Sequence, residues 1–221
     1  LRDTYITFVS SDSKDKLSAY AGYIEEVIAA DSDVDVVVID PQGKVYVEEK
    51  ENITYVSSKE QLENWQEYYH KLYLERDAAL YQDNLGEWKL PDGYRNLYIV
   101  INNFESLSDH SMNCAVRIIE AMLGCEIHNI HYIVADTPGD MKSPRGCYDR
   151  IIVRGKNDKA LFIEKNAHDD WFDSLGIWLG EGFRSQDLFE VEDRRDTESD
   201  NKYAFIVSHK KLKEKIYLPW L

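Results

Sequence analysis

The chain has 221 residues, 43% of them hydrophobic and 12% aromatic, which suits one folded α/β domain and is too apolar for a disordered segment. Its 41 acidic against 26 basic residues give a net charge of −15, which argues against nucleic-acid binding by this chain alone, since phosphate recognition depends on Lys and Arg patches. No apolar run approaches the ~20 residues of a spanning helix, no signal peptide opens the chain, and its three cysteines at no framework spacing fit a reducing compartment.

In chain order, the first strand is expected over Thr4–Val9. It runs into a polar loop and then a helix over Lys14–Ala29, with Tyr20, Tyr23, Ile24 and Val27 on one side. Buried-run and alternating patterns place further strands at Val34–Ile39, Lys44–Val47 and Ile53–Val56. Ser58 with Gln61 reads as a capping box opening a helix that extends to Tyr81, its apolar stripe made by Leu62, Trp65, Tyr69 and Leu72. Gly86, Pro91 and Gly93 mark a loop over 83–95, ahead of a buried strand at Tyr98–Ile101. A helix over Ser111–Leu123 and a strand at His131–Ala135 follow. Strands are also expected at Ile151–Val153 and Ala160–Glu164. Beyond a charged linker at Glu190–Lys202, Ala204–Val207 and Lys215–Leu218 should form a hairpin. Strands alternating with helices predict a mainly parallel sheet with helices on both faces.

The segment from Tyr5 to Leu17 has the strand–loop–helix frame of a P-loop, whose pattern is G-x-x-x-x-G-K-[ST]. Laid on that pattern, Ser10 and Asp15 replace the glycines, Leu17 replaces the hydroxyl residue, and Lys16 alone is kept. Ser11 and Lys14 fall inside the loop. Glycines belong there because the backbone must turn sharply and bring its N–H groups against phosphate. A carboxylate at Asp15 would repel a phosphate by about 3 kcal/mol per unit charge at ~5 Å and an effective dielectric near 20. Leu17 offers no oxygen to Mg²⁺. The strand Leu97–Ile101 ends in Asn102 and Asn103, where a Walker B strand would carry its metal-binding Asp. An amide there supplies neither a metal ligand of full charge nor a base. The bland alternative for the same residues is an ordinary strand closed by an Asx turn.

Three other features invite a functional reading. Cys125-x-x-His128-x-x-His131 offers metal-ligating side chains, but at no standard zinc spacing. Arg145 or Arg150 could serve a neighbouring subunit as an arginine finger, with a solvated surface arginine as the alternative. Trp88, Trp171 and Trp178 are the candidate aromatic residues of a binding groove.

The order of these elements resembles a terminal ATPase domain of the FtsK/SpoIIIE type. The form it resembles is the third ATPase domain of EssC, the coupling ATPase of type VII secretion. The residues carrying the resemblance are Val37–Asp40, Tyr98–Leu107, Asn129–Asp136, Leu179–Phe183 and Lys202–Leu212. It implies a RecA-like P-loop NTPase fold over one domain, 1–221, cut from the C-terminal part of a longer bacterial membrane protein and lying in the cytoplasm. The departures at Ser10, Asp15, Leu17 and Asn102 imply a module that does not hydrolyse ATP. ATP and Mg²⁺ would then belong to other domains of an oligomeric parent. The implied partners are those neighbouring ATPase domains and secreted substrates of the WXG100 type. The competing expectation is a competent ATPase driving translocation, with Lys14 and Lys16 holding phosphates and Glu105 reaching a metal.

Overall fold

A computed structural model describes residues 5–11, 14–31, 33–103, 106–107, 111, 114, 117–118, 125–136, 174–179, 203–208 and 213–217. An eight-stranded sheet dominates it. In chain order the elements are β1 (Ile6–Ser11), α1 (Lys14–Ala29), β2 (Val34–Ile39), β3 (Ile53–Val56) and α2 (Lys59–Ala79). A two-stranded hairpin follows, β4 (Tyr81–Gln82) and β5 (Trp88–Lys89). Then come β6 (Asn96–Asn102), a 3₁₀ turn at Glu126–His128, β7 (Ile130–Asp136), β8 (Ser174–Leu179), β9 (Tyr203–Ser208) and β10 (Lys213–Tyr217). The sheet order is β10-β9-β8-β1-β7-β6-β2-β3. From β8 through β3 neighbouring strands run parallel, while β9 and β10 extend the sheet antiparallel as the expected hairpin.

The strand sequences explain the two-faced burial. A strand covered by helices on both sides needs apolar residues at every position rather than every second one. In β2 and β6 all residues but Asp35 and the two terminal asparagines of β6 meet this: Val37, Ile39, Ile99 and Ile101 pack with Trp65 and Tyr69 of α2. Val36, Val38, Tyr98 and Val100 pack with Leu17, Tyr20 and Ile24 of α1. Each helix therefore covers its own face. α2 starts at the expected capping box, with the Ser58 hydroxyl accepting from the Gln61 backbone N–H and the Gln61 side chain accepting from the Ser58 N–H. Near its other end, buried Arg76 donates to the carbonyls of His128, Asn129 and Arg95, fastening α2 to the start of β6 and β7.

Several expectations are corrected. The buried side of α1 is Leu17, Tyr20, Ala21, Ile24 and Ile28, whereas Tyr23 and Val27 face outward. Lys44–Val47 is not a strand: its Val45 N–H is taken by the Asp40 carboxylate, and Val45 packs with the α1 core instead of joining the sheet. The span 83–95 contains β5 besides its turns. β8 was not foreseen, yet it pairs with β1 along its whole length. Of the helix expected at 111–123, residues 114, 117 and 118 are helical. The strands expected at 151–153 and 160–164, and the linker at 190–202, lie outside the described residues.

Candidate functional site

In a parallel sheet the side chains and loops at the carboxyl ends of the strands form the natural ligand crevice. Register brings β1, β2, β6 and β7 level there. Asn102 pairs with Ala135 of β7, Ser10 of β1 pairs with Asp136, and Ile39 at the end of β2 pairs with Ile101. The residues just past these strand ends make one buried polar network. The Asn102 amide nitrogen donates to the Ser18 hydroxyl at 3.1 Å and to the Asp40 carboxylate at 3.1 Å, which occupies both of its hydrogens. The other Asp40 oxygen accepts from the Val45 N–H at 2.6 Å and from the Tyr55 hydroxyl at 3.1 Å. Burial, then the charge and hydrogen bond of Asp40, push the Tyr55 phenol up to about 12, so it stays a donor. Asp40 is fully buried, and its negative charge is met by hydrogen bonds rather than by a cationic partner.

The loop residues are placed less like a phosphate cradle than their order suggests. Strand β1 ends at Ser11 and helix α1 has already begun at Lys14, so Asp15, Lys16 and Leu17 lie in its first turn. Ser11 is buried and its hydroxyl donates to the Leu179 carbonyl of β8 at 2.9 Å, a structural bond between neighbouring strands. Ser10 sits in β1 by register. Lys14 and Asp15 are exposed and Lys16 is half-buried. Leu17 is 2% exposed inside the core beneath α1, and the hydroxyl that meets Asn102 belongs to Ser18. The hydroxyl at this strand end is thus one residue beyond Leu17, the residue laid on the hydroxyl position of the pattern. In a K-[ST] pair ending on Ser18 the lysine would stand where the chain has Leu17.

Asn103 ends β6 with φ 61° and its N–H donating to the Ala135 carbonyl. Its side-chain oxygen accepts from the Ser106 N–H three residues on, as a helix N-cap does, rather than closing an Asx turn. Its amide nitrogen is buried without a partner. Glu105, Arg145, Arg150 and Trp171 lie outside the described residues, as does the side chain of Trp178; Trp88 is half exposed on the β4–β5 hairpin, away from the strand ends.

Cys125, His128 and His131 do not converge. His128 Nε2 lies 3.1 Å from Asp77, and the His131 ring stacks on Tyr5 and Tyr98 with centroids 4.6 and 4.3 Å apart. Burial pushes the Cys125 thiol up to about 12, which favours an inert thiol. Among the described residues no three His, Cys, Asp or Glu side chains are grouped to hold a metal ion, and no helix is long and apolar enough to cross a membrane.

No protein-family model matches the chain, and no curated protein is detectably similar to it in sequence. Solved structures are similar in three dimensions. The cytoplasmic domain of EssC superposes with a TM-score of 0.68 at 15% identity, over 99% of this chain and 40% of that one. The Thermomonospora curvata EccC structure of ATPases 2 and 3 in complex with a signal sequence peptide gives 0.65 at 13% identity, over 98% and 37%. The pCW3 conjugation coupling protein TcpA, in its monomer form with ATPγS, gives 0.62 at 9%, over 97% and 60%. The chain therefore spans about 40% of the EssC structure it matches. Its fold is the α/β fold of the P-loop ATPase domains found in EssC, EccC and TcpA.

Proposed function

We propose that this chain is a non-hydrolysing ATPase-fold module of a secretion ATPase, acting in substrate recognition or in regulation of neighbouring motor domains. The observation that carries the reading is the Asn102 amide, which holds Ser18 and Asp40 where an active domain would hold Mg²⁺. A Mg²⁺ site needs carboxylate and hydroxyl oxygens free to coordinate. Here the hydroxyl is engaged by an amide, and the carboxylate beside it, Asp40, is fully buried and already accepts three hydrogen bonds. With Leu17 in the core and α1 starting at Lys14, these residues do not fit Mg-ATP, and no hydrolytic step is assigned to them. Ser10, Ser11, Lys14, Asp15, Lys16, Leu17, Asn102 and Asn103 are in this view the remains of a nucleotide site.

A role in recognition is supported by similarity to the EccC structure, which was solved in complex with a signal sequence peptide. By extension the partners would be neighbouring ATPase domains and secreted substrates of the WXG100 type, and the parent an oligomeric membrane protein of which this is a cytoplasmic part. Calorimetric titration with Mg-ATP is the direct test, and no saturable heat is expected up to millimolar nucleotide. Micromolar affinity lost in Lys16→Ala would return the chain to the working ATPases. Deleting the module from its parent should reduce export of substrate while the remaining domains still hydrolyse ATP.

A further inference from the structure

A second concave site begins beside Ser18 and runs along the outer side of α1. The helix turns Asp15, Ser18, Ala19, Gly22, Tyr23 and Glu26 outward, and residues 44–50 lie across them, leaving a groove of about 730 Å³. That volume is in the range of small-ligand sites. The two walls come close at Gly22, where a Cβ would stand 3.4 Å from the Tyr46 carbonyl oxygen. Tyr23 and Tyr46 stand at its sides, 40% and 85% exposed.

The charges of the groove are unbalanced. Four carboxylates, Asp15, Glu25, Glu26 and Glu48, face two ammonium groups, Lys44 and Lys50, and Lys50 lies 3.4 Å from Glu48. Glu25 is the decisive residue. It is 2% exposed, and its Oε1 is buried with no hydrogen-bond partner. A desolvated carboxylate oxygen without a donor is costly, and an apolar side chain at this position would avoid the cost. A donor supplied from outside, carrying positive charge, would satisfy it through a charge-assisted hydrogen bond. Its hydrocarbon stem would lie along Ala19 and Gly22, and its charge would gain from the faces of Tyr23 and Tyr46.

We infer that the groove between α1 and residues 44–50 binds an organic cation, an ammonium or guanidinium group on a flexible stem, with Glu25 as the receiving carboxylate. The inference does not depend on the fate of the nucleotide site. Burial raises the Glu25 pKa; Lys50 opposes the shift, while Glu26 and Glu48 reinforce it. Cation binding should therefore tighten as pH rises and Glu25 ionises.

The test is an NMR titration of the whole chain with two probes, spermidine and a blocked Lys-Lys dipeptide, read at the backbone amides of Gly22 and Tyr46. Saturable shifts with either probe support the site, and the tighter of the two identifies a free polyamine or a peptide side chain as the source. Glu25→Gln is isosteric and should weaken binding about tenfold, the worth of one charge-assisted bond. Tyr46→Ala, at an exposed position, should weaken it while leaving the fold intact. Glu87→Gln removes an equal charge on the β4–β5 side and should change nothing. Absence of saturable shifts overturns the inference. So does equal weakening by Glu25→Gln and Glu87→Gln, which would reduce the effect to attraction by a net charge of −15.

Discussion

Asn102 and Ser18 are 84 residues apart in sequence, and their side chains are joined by a 3.1 Å hydrogen bond at the carboxyl end of the sheet. The bond shows which residue of the first helical turn faces β6, and so how the loop before it is threaded. It also uses one of the two amide hydrogens of Asn102, the other going to Asp40. At the strand ends the Asn102 amide, the Ser18 hydroxyl and the Asp40 carboxylate are held by one another, whereas the buried Asn103 amide nitrogen is left without a partner.

Asn102→Asp is expected to destabilise the chain by about 2–4 kcal/mol at neutral pH, because it removes two donors and sets a carboxylate against the buried Asp40. The penalty should grow as pH rises through the carboxylate range and shrink on acidification, when one of the pair takes a proton. Urea denaturation at several pH values measures it. A variant as stable as the parent at every pH would mean that the amide bonds are not formed.

Leu17 separates a cradle from a core. Leu17→Ala should cost about 2–5 kcal/mol, the range for emptying a buried leucine site. Leu17→Lys, which restores the P-loop lysine in the register set by Ser18, should destabilise the chain and confer no affinity for Mg-ATP. Thermal melting and calorimetry on the two variants give both readings. Nucleotide binding gained by Leu17→Lys would place position 17 at a phosphate site.

Glu25 should give the stability curve a distinctive slope. Its folded pKa is raised, chiefly by burial, so the native chain holds this proton more tightly than the unfolded one. Stability contributed by the group is fully present below the unfolded pKa and is lost as pH rises through the folded value. Glu25→Gln should flatten the curve in that window, as measured by denaturant titration from pH 4 to 8. An unchanged slope would mean that other carboxylates set it.

At the start of α2 the capping box makes a smaller prediction. Ser58→Ala removes the hydroxyl that accepts from the Gln61 N–H and should lower stability by about 1 kcal/mol. Ser58→Gly should cost only a few tenths of a kcal/mol. The pair of melting temperatures separates loss of a cap from a general loss of packing.

The parts of the fold legible in the sequence are those whose residues declare burial on both faces or a specific cap. Val34–Ile39, apolar but for Asp35, and Leu97–Ile101, apolar throughout, form the neighbouring parallel strands β2 and β6. Ser58 and Gln61 announce α2, and the hairpin at β9 and β10 follows from two short runs about a basic turn. Lys44–Val47 misled because alternation records a spacing and not a partner. Only the fold reveals that Asp40 captures the Val45 N–H. The outward turn of Tyr23 and Val27 has a similar origin: Leu17, Ala21 and Ile28 complete the buried stripe, and small Ala21 gives little signal in a hydrophobic pattern. At the site, Asn102 was recognisable by its place at a strand end, whereas the roles of Ser18, Asp40 and Tyr55 required the contacts themselves. Glu25 was invisible in sequence, since one more acid in a chain so rich in them carries no mark of burial.

Strand β1 lies between β7 and β8, so Ile6 has Tyr132 on one side and Ser174 on the other. Strand β1 therefore has no ladder partner until β7 has been synthesised, and its second flank stays open until β8 follows. Such long-range closure slows folding and leaves hydrogen-bonding edges exposed meanwhile. Nascent chains halted before residue 130 should therefore depend on chaperones, although most of both helices' apolar partners are already synthesised.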